Sequence, residues 1–79
     1  MDIRKQFGMR VRYLRKIRKL SIEDLSLEAK INRNYLGDLE RGKRNPTLKV
    51  IGKIAEALDV DLSYLFKGLT VNDNFTLII

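Results

Sequence analysis

Between Ser21 and Gly42 the chain carries start and stop signals at spacings that leave room for two short helices around a three-residue corner and for little else. Ser21 stands before an apolar residue and is followed three positions on by Asp24. Hydroxyl and carboxylate can therefore satisfy the first free N–H groups of a helix beginning at Ile22. Leu25 and Ala29 form its inward stripe, Ser26 is small enough for close approach by the next helix, and Glu23, Asp24 and Glu28 face water. This helix is expected to end near Lys30. Ile31 reads as a buried corner residue and Asn32 as the cap of a following helix over about residues 33–41, with Tyr35, Leu36 and Leu39 inward. Gly42 stops that helix from the position just past its end. A helix, a tight corner and a second helix with polar side chains on its open face make a helix-turn-helix.

The flanking chain supplies the support such a unit needs. Over residues 2–19, Ile3, Phe7, Val11, Leu14 and Ile17 recur every three or four positions, and the basic residues fall mostly on the other faces. That predicts an amphipathic first helix capped by Asp2. Lys43-Arg44-Asn45-Pro46 is a loop, because Pro46 moves Asn45 out of the helical region, and Asn45 or Thr47 can cap the next helix. This fourth helix is predicted over about residues 48–58, burying Leu48, Ile51, Ile54, Ala55 and Leu58, and a short fifth over about 62–67, capped by Asp61 and closed by Gly68. In the tail, Phe75, Leu77 and Ile79 alternate with Thr76 and Ile78, a weak strand-like pattern. The expected class is all-α with five helices, residues 1–68 forming the domain and 69–79 an apolar tail.

Composition narrows the chemistry. A chain of 79 residues has room for one small domain whose core would gain from a partner subunit. With neither cysteine nor histidine, disulfides, thiolate sites and the commonest metal ligand and acid–base residue are all absent. Glu23, Asp24 and Glu28 are the one close acidic cluster and have no nucleophile or phosphate-cradling loop beside them, so an enzyme is not expected, nor is a cofactor or a small-molecule ligand. The longest apolar block, Leu77-Ile78-Ile79, is far too short to span a bilayer, and no signal-peptide run opens the chain; a cytoplasmic location is the expectation. Charge is uneven: residues 1–53 hold fifteen Lys and Arg against six acids, or +9, while residues 54–79 hold one against four, or −3. The first two thirds look towards a polyanion.

A helix lying in the major groove of DNA presents residues near its N-terminus to base edges. Arg33, Asn34 and Asp38 have the reach and polarity for that, Arg33 for a bidentate pair with guanine and Asn34 for adenine or a phosphate, while Gly37 would let the backbone come close to the duplex. Asp38 has a second reading, in which it positions Arg41 or Arg33. Lys43, Arg44 and Asn45 form a basic loop suited to backbone contact, and Ser21, Asn32, Arg41, Arg10 and Arg12 are further candidates. For Arg10 and Arg12 a solvated charge run is an equal alternative.

The run Arg15 … Leu20-Ser21-x-x-x-Leu25 … Tyr35-Leu36-x-x-Leu39-Glu40-Arg41-Gly42-Lys43-Arg44-Asn45-Pro46-Thr47-Leu48 … Ile54-Ala55-x-Ala57-Leu58-x-Val60 … Leu65-Phe66 resembles the lambda-repressor-like, Cro-type helix-turn-helix family over residues 8–68. The resemblance implies a compact bundle of five helices that binds double-stranded DNA sequence-specifically, usually as a homodimer on a palindromic operator. It implies that Arg15 and Glu40 form a structural ion pair between the first and third helices, that Arg33, Asn34 and Asp38 stand where bases are read, and that Asn32 caps and touches phosphate. Departures are Ile22, where glutamine is common, and Lys19 and Lys30, where glycine is usual. Within the family, the short length and the run Asn32-Arg33-Asn34-Tyr35-Leu36-Gly37 look like restriction-modification controller proteins, small dimers that regulate their own operon.

Tyr64, Leu65 and Phe66, with Leu69, Val71, Phe75 and Leu77 beyond, offer more apolar area than so small a core can use. A homodimer through the fifth helix and tail is expected, setting two recognition helices about one DNA turn, ~34 Å, apart; the alternative is a tail folded back on its own domain. Two other functions compete with transcription regulation. One is an antitoxin using the same DNA-binding domain, with the apolar C-terminal surface holding a toxin. The other is a membrane-surface protein resting on the basic amphipathic first helix.

Overall fold

The computed structural model describes residues 2–70, and they form five helices: α1 (Ile3–Ile17), α2 (Ile22–Ala29), α3 (Arg33–Glu40), α4 (Leu48–Leu58) and α5 (Leu62–Leu65). Each begins on a side-chain cap. Asp2, Ser21, Asn32, Thr47 and Asp61 are all in extended conformation, and each accepts a hydrogen bond from a backbone N–H of the first turn. At Ser21 the full capping box is present: its hydroxyl accepts from Asp24 N at 2.9 Å and the Asp24 carboxylate accepts from Ser21 N at 3.0 Å.

The core is one apolar cluster to which every helix contributes. Phe7, Val11 and Leu14 come from α1, Leu25 from α2, Leu36 and Leu39 from α3, Ile54, Ala55 and Leu58 from α4, and Leu65 from α5. Helix α1 packs on α3, α2 packs on both α3 and α4, and α5 closes on α4. The α1–α3 contact is unusually tight at Gly8: a Cβ built there would lie 2.3 Å from the Leu39 carbonyl oxygen and 2.6 Å from that of Glu40. Only glycine lets the two backbones approach so closely. The Phe66 ring stacks on Phe7 at 5.2 Å, and beyond α5 the Gln6 side-chain amide exchanges hydrogen bonds with the backbone of Thr70, at 2.7 and 3.0 Å.

Several expectations need correction. Leu48 is 85 % exposed rather than buried, because as the first residue of α4 it projects past the end of the core. Leu65, assigned to a dimer surface, is 0 % exposed: it is the buried side chain of α5 and completes the core of its own domain. Ile3 and Ile17, at the two ends of α1, are exposed, and Ile31 at the corner is half-buried. Helix α1 stops at Ile17 and α5 at Leu65, both earlier than the apolar pattern suggested. Lys19 and Lys30 occupy the left-handed region, each at φ 57°, so the chain keeps the backbone geometry of a glycine stop without the glycine. The strand-like pattern at Phe75 to Ile79, and Val71, lie outside the described residues.

The core-facing stripe of α1 is taken up by the bundle, with Phe7, Val11 and Leu14 all buried. Among the described residues no helix is long and apolar enough to cross a membrane.

Candidate nucleic-acid interface

The corner between α2 and α3 sets the site. Lys30 at φ 57°, ψ 46° turns the chain sharply after Ala29, Ile31 N donates to Ser26 O at 3.0 Å, and Asn32 starts α3 by accepting from Tyr35 N at 3.0 Å. Small Ser26, buried, lets the helices close on each other. The outcome is an open groove lined by Ser21, Ile22 and Glu23 at the start of α2 and by Arg33, Asn34, Gly37, Asp38 and Arg41 along α3. The N-terminal end of α2, the positive end of its dipole, borders this groove, which suits that edge to phosphate.

Behind the groove, α3 is fastened to α1 by a buried ion pair. Arg15 Nε donates to Glu40 Oε2 at 2.7 Å and Nη2 to Oε1 at 3.0 Å, a bidentate arrangement with the side chains only 9 % and 4 % exposed. The third donor, Nη1, reaches the Leu20 carbonyl oxygen at 2.8 Å, so the α1–α2 connection is tied in as well. The hydrogen bond to Glu40 raises the Arg15 pKa above its ordinary value, and the guanidinium stays charged. The pair that the family resemblance implied is thus present in the geometry.

On the groove itself the charges are already paired. Arg33 Nη1 donates to Glu23 Oε1 at 3.2 Å across the corner. Asp38 accepts from Arg41 at 2.6 Å and, on its other oxygen, from Arg44 at 3.3 Å. Those bonds, Arg41 first, hold the Asp38 carboxyl below the usual aspartate range. The Arg44 guanidinium also lies over the Tyr35 ring, 5.3 Å from its centroid. Asp38 is thus bonded to Arg41 and Arg44, and Arg33 is bonded to Glu23 instead.

Four of the residues named from sequence, Arg33, Asn34, Gly37 and Asp38, therefore share the groove with Ser21 and Arg41, while Arg44 reaches its edge. Gly37 is not the open position its sequence suggested: it is buried under the Arg41 guanidinium, although a Cβ there would meet nothing nearer than 3.5 Å. Arg10 is elsewhere. Its Nη2 donates to the Tyr64 carbonyl oxygen at 2.7 Å, its guanidinium lies 4.9 Å from the Tyr64 ring centroid, and its buried Nε has no hydrogen-bond partner. The Arg10 guanidinium thus cross-links α1 to α5 and is not among the residues that line the groove. Asn45 lines a separate apolar depression with Ile3, Phe7, Pro46, Ile51 and Phe66. Arg12 is exposed on α1 with no ion-pair partner among the described residues, and Lys43 is exposed in the loop after Gly42. Sequence reading missed Glu23 as the partner of Arg33 and Arg44 as a partner of Asp38. The separations of ten and six residues cross a corner and a helix end, where periodicity carries no signal.

The helix-turn-helix family model HTH_3 matches residues 11–65. The chain belongs to that family. It is similar to the control protein C.BamHI of Bacillus amyloliquefaciens, 38 % identical over 73 residues that make up 91 % of this chain and 90 % of that one. It is also 39 % identical over 56 residues to the immunity repressor protein of Bacillus phage phi105, covering 71 % of this chain but only 39 % of the repressor. Among solved structures, the restriction-modification controller protein C.AhdI from Aeromonas hydrophila superposes with a TM-score of 0.78 at 43 % identity, over 80 % of this chain and 96 % of the controller. The five-helix, lambda-repressor-like fold expected from sequence is the fold of this HTH_3 member.

Proposed function

We propose that this helix-turn-helix protein is a sequence-specific regulator of transcription of the restriction-modification controller type, binding a palindromic operator in double-stranded DNA as a homodimer and regulating its own operon. The observation that carries the reading is the groove: Arg33 and Asn34 project from the first turn of α3 beside the N-terminus of α2, on a helix held to the bundle by the buried Arg15–Glu40 pair. Arg33 and Asn34 read bases, Asp38 borders them, and Ser21, Asn32, Arg41, Lys43 and Arg44 meet the sugar–phosphate backbone. The near end-to-end match to controller-type relatives supports the same class.

A second subunit is supported by apolar surface that the domain leaves uncovered. Leu62, Tyr64 and Phe66 around α5, with Leu48 at the start of α4 and Ile3 on α1, are all exposed. Paired across a two-fold axis they would bury one another and present two α3 helices to successive major grooves. Sedimentation at micromolar concentration is expected to show a dimer, and a purely monomeric profile would remove this part of the reading.

The function is tested by titrating the protein into a duplex from immediately upstream of its own gene and into a scrambled duplex, at near-physiological salt. Arg33→Ala is expected to cost ~1–3 kcal/mol on the upstream duplex and much less on the scrambled one. Equal, salt-sensitive binding of the unaltered protein to both duplexes would leave a basic domain without a regulator's selectivity.

A further inference from the structure

Three arginines border the recognition helix, and two of them, Arg41 and Arg44, are folded onto one carboxylate. Asp38 stands on the second turn of α3, with one oxygen 2.6 Å from Arg41 Nη2 and the other 3.3 Å from Arg44 Nη2. Arg41 is thereby drawn back over Gly37, and Arg44 is laid across the Tyr35 ring. Both guanidiniums are half exposed, so water and a phosphate can reach them. A carboxylate accepting from two guanidiniums makes the contacts that a DNA phosphate would make.

Resting on the DNA-binding reading above, we infer that Asp38 is a specificity-determining residue that acts as an internal stand-in for phosphate: it withholds Arg41 and Arg44 from DNA of the wrong sequence and surrenders them on the operator. The chemistry runs as an exchange. On an operator the carboxylate finds a compensating donor at a base edge, a cytosine N4 amino group, so the two arginines can leave it for backbone phosphates without stranding a negative charge against the duplex. On an unrelated sequence no such donor is in place. An unpaired carboxylate in the major groove is then repelled by the phosphates, and it is neutralised best by keeping its arginines. Non-specific binding is weakened by the loss of two phosphate contacts that the operator complex keeps, and discrimination rises. The depressed pKa of Asp38 means that the carboxylate is ionised, and the device set, throughout the neutral range.

Asp38→Asn tests this, because asparagine preserves the shape and removes the charge. On the scrambled duplex the variant is expected to bind about threefold to tenfold more tightly than the parent, with the slope of log K against log salt steepened by between about one and two as released arginines reach phosphates. On the upstream duplex the gain should be smaller, so the ratio of the two affinities falls. In an Arg41→Gln/Arg44→Gln background, measured at lower salt to keep binding in range, adding Asp38→Asn should no longer tighten scrambled-duplex binding. Equal tightening on both duplexes, no tightening, or tightening that persists without the two arginines would overturn the inference, since each would reduce Asp38 to a bare local charge. Failure of the parent protein to prefer the upstream duplex is a different result, visible before any variant is made, and would refute the regulator reading itself.

Discussion

The ion pair behind the recognition helix is where the fold and the site meet, and Glu40→Gln probes it most directly. Both side chains are almost wholly out of water, and the carboxylate accepts two of the three hydrogen bonds that Arg15 donates. Glutamine is isosteric but neutral: it leaves a buried guanidinium without its counter-charge and turns an NH2 group towards one of the Arg15 donors. Breaking one side of a buried pair costs about 3 kcal/mol or more. A domain of this size holds roughly 8 kcal/mol in total, on the usual ~0.1 kcal/mol per residue. The variant should therefore lose about a third of its stability and melt on the order of 15 °C lower. Thermal and urea unfolding followed by circular dichroism would read this. The double variant Arg15→Met/Glu40→Leu, which replaces both charges by apolar groups of similar volume, should recover most of the loss. It would still fall about 1 kcal/mol short, because the Leu20 carbonyl loses its donor. If Glu40→Gln melts within a few degrees of the parent, or if the double variant is as unstable as the two single losses added together, the pair is not the clamp that its geometry describes.

Two further outcomes concern the groove and its surroundings. Gly37→Ala should raise helix stability by about 1 kcal/mol, since the new Cβ meets only the Arg41 guanidinium at 3.5 Å, while weakening binding to the upstream duplex; a stabilised variant with unchanged affinity would show that the glycine does not serve DNA approach. Lys43→Gln should reduce the salt slope of DNA binding by about one without changing the melting temperature, whereas Arg10→Gln should leave the slope alone and lower the melting temperature; the reverse pattern would restore Arg10 to the interface.

The helices were legible wherever a local signal existed. Asp2, Ser21, Asn32 and Asp61 announced four starts, Asn45 and Thr47 were both offered for the fifth, and Thr47 holds it. The stripe Leu25, Leu36, Leu39, Ile54 and Leu58 announced the core that they build. Ends were harder, because apolar residues past a helix end look like residues inside it. Phe66 extends the pattern beyond α5, yet the chain is there already turning towards Gly68 at φ 86°, and α1 ends at Ile17 before left-handed Lys19. Leu48 and Leu65 show the same difficulty from the side of burial. Both are leucines on amphipathic helices, but Leu48 occupies a first position beyond the core while Leu65 points into it, and only the packing of α4 on α5 separates the two. Gly8 marks the α1–α3 crossing in the sequence itself, since a glycine inside a strongly periodic helix signals a close approach, and α3 passes there.

The basic composition says less about DNA than it first suggests, and the structure explains why. Three arginines from α1 and its C-terminal cap are spent inside the domain: Arg10 on the Tyr64 carbonyl at the end of α5, Arg15 on Glu40, and Arg18 on the Leu58 carbonyl at the end of α4. At the two helix ends a guanidinium is well suited, because its several donors can satisfy unpaired carbonyls at a C-terminus while its charge opposes the negative end of the dipole. The three arginines at the groove are not free either, since Glu23 holds Arg33 and Asp38 holds the other two. Each groove arginine must therefore leave an acid before it can give all its donors to a base or a phosphate. Exposed pairs of this kind are weak enough to be exchanged. They also set a threshold that a generic phosphate backbone crosses less readily than a site offering matched base edges. A small domain can in this way favour one sequence over the many others that share the same backbone charge.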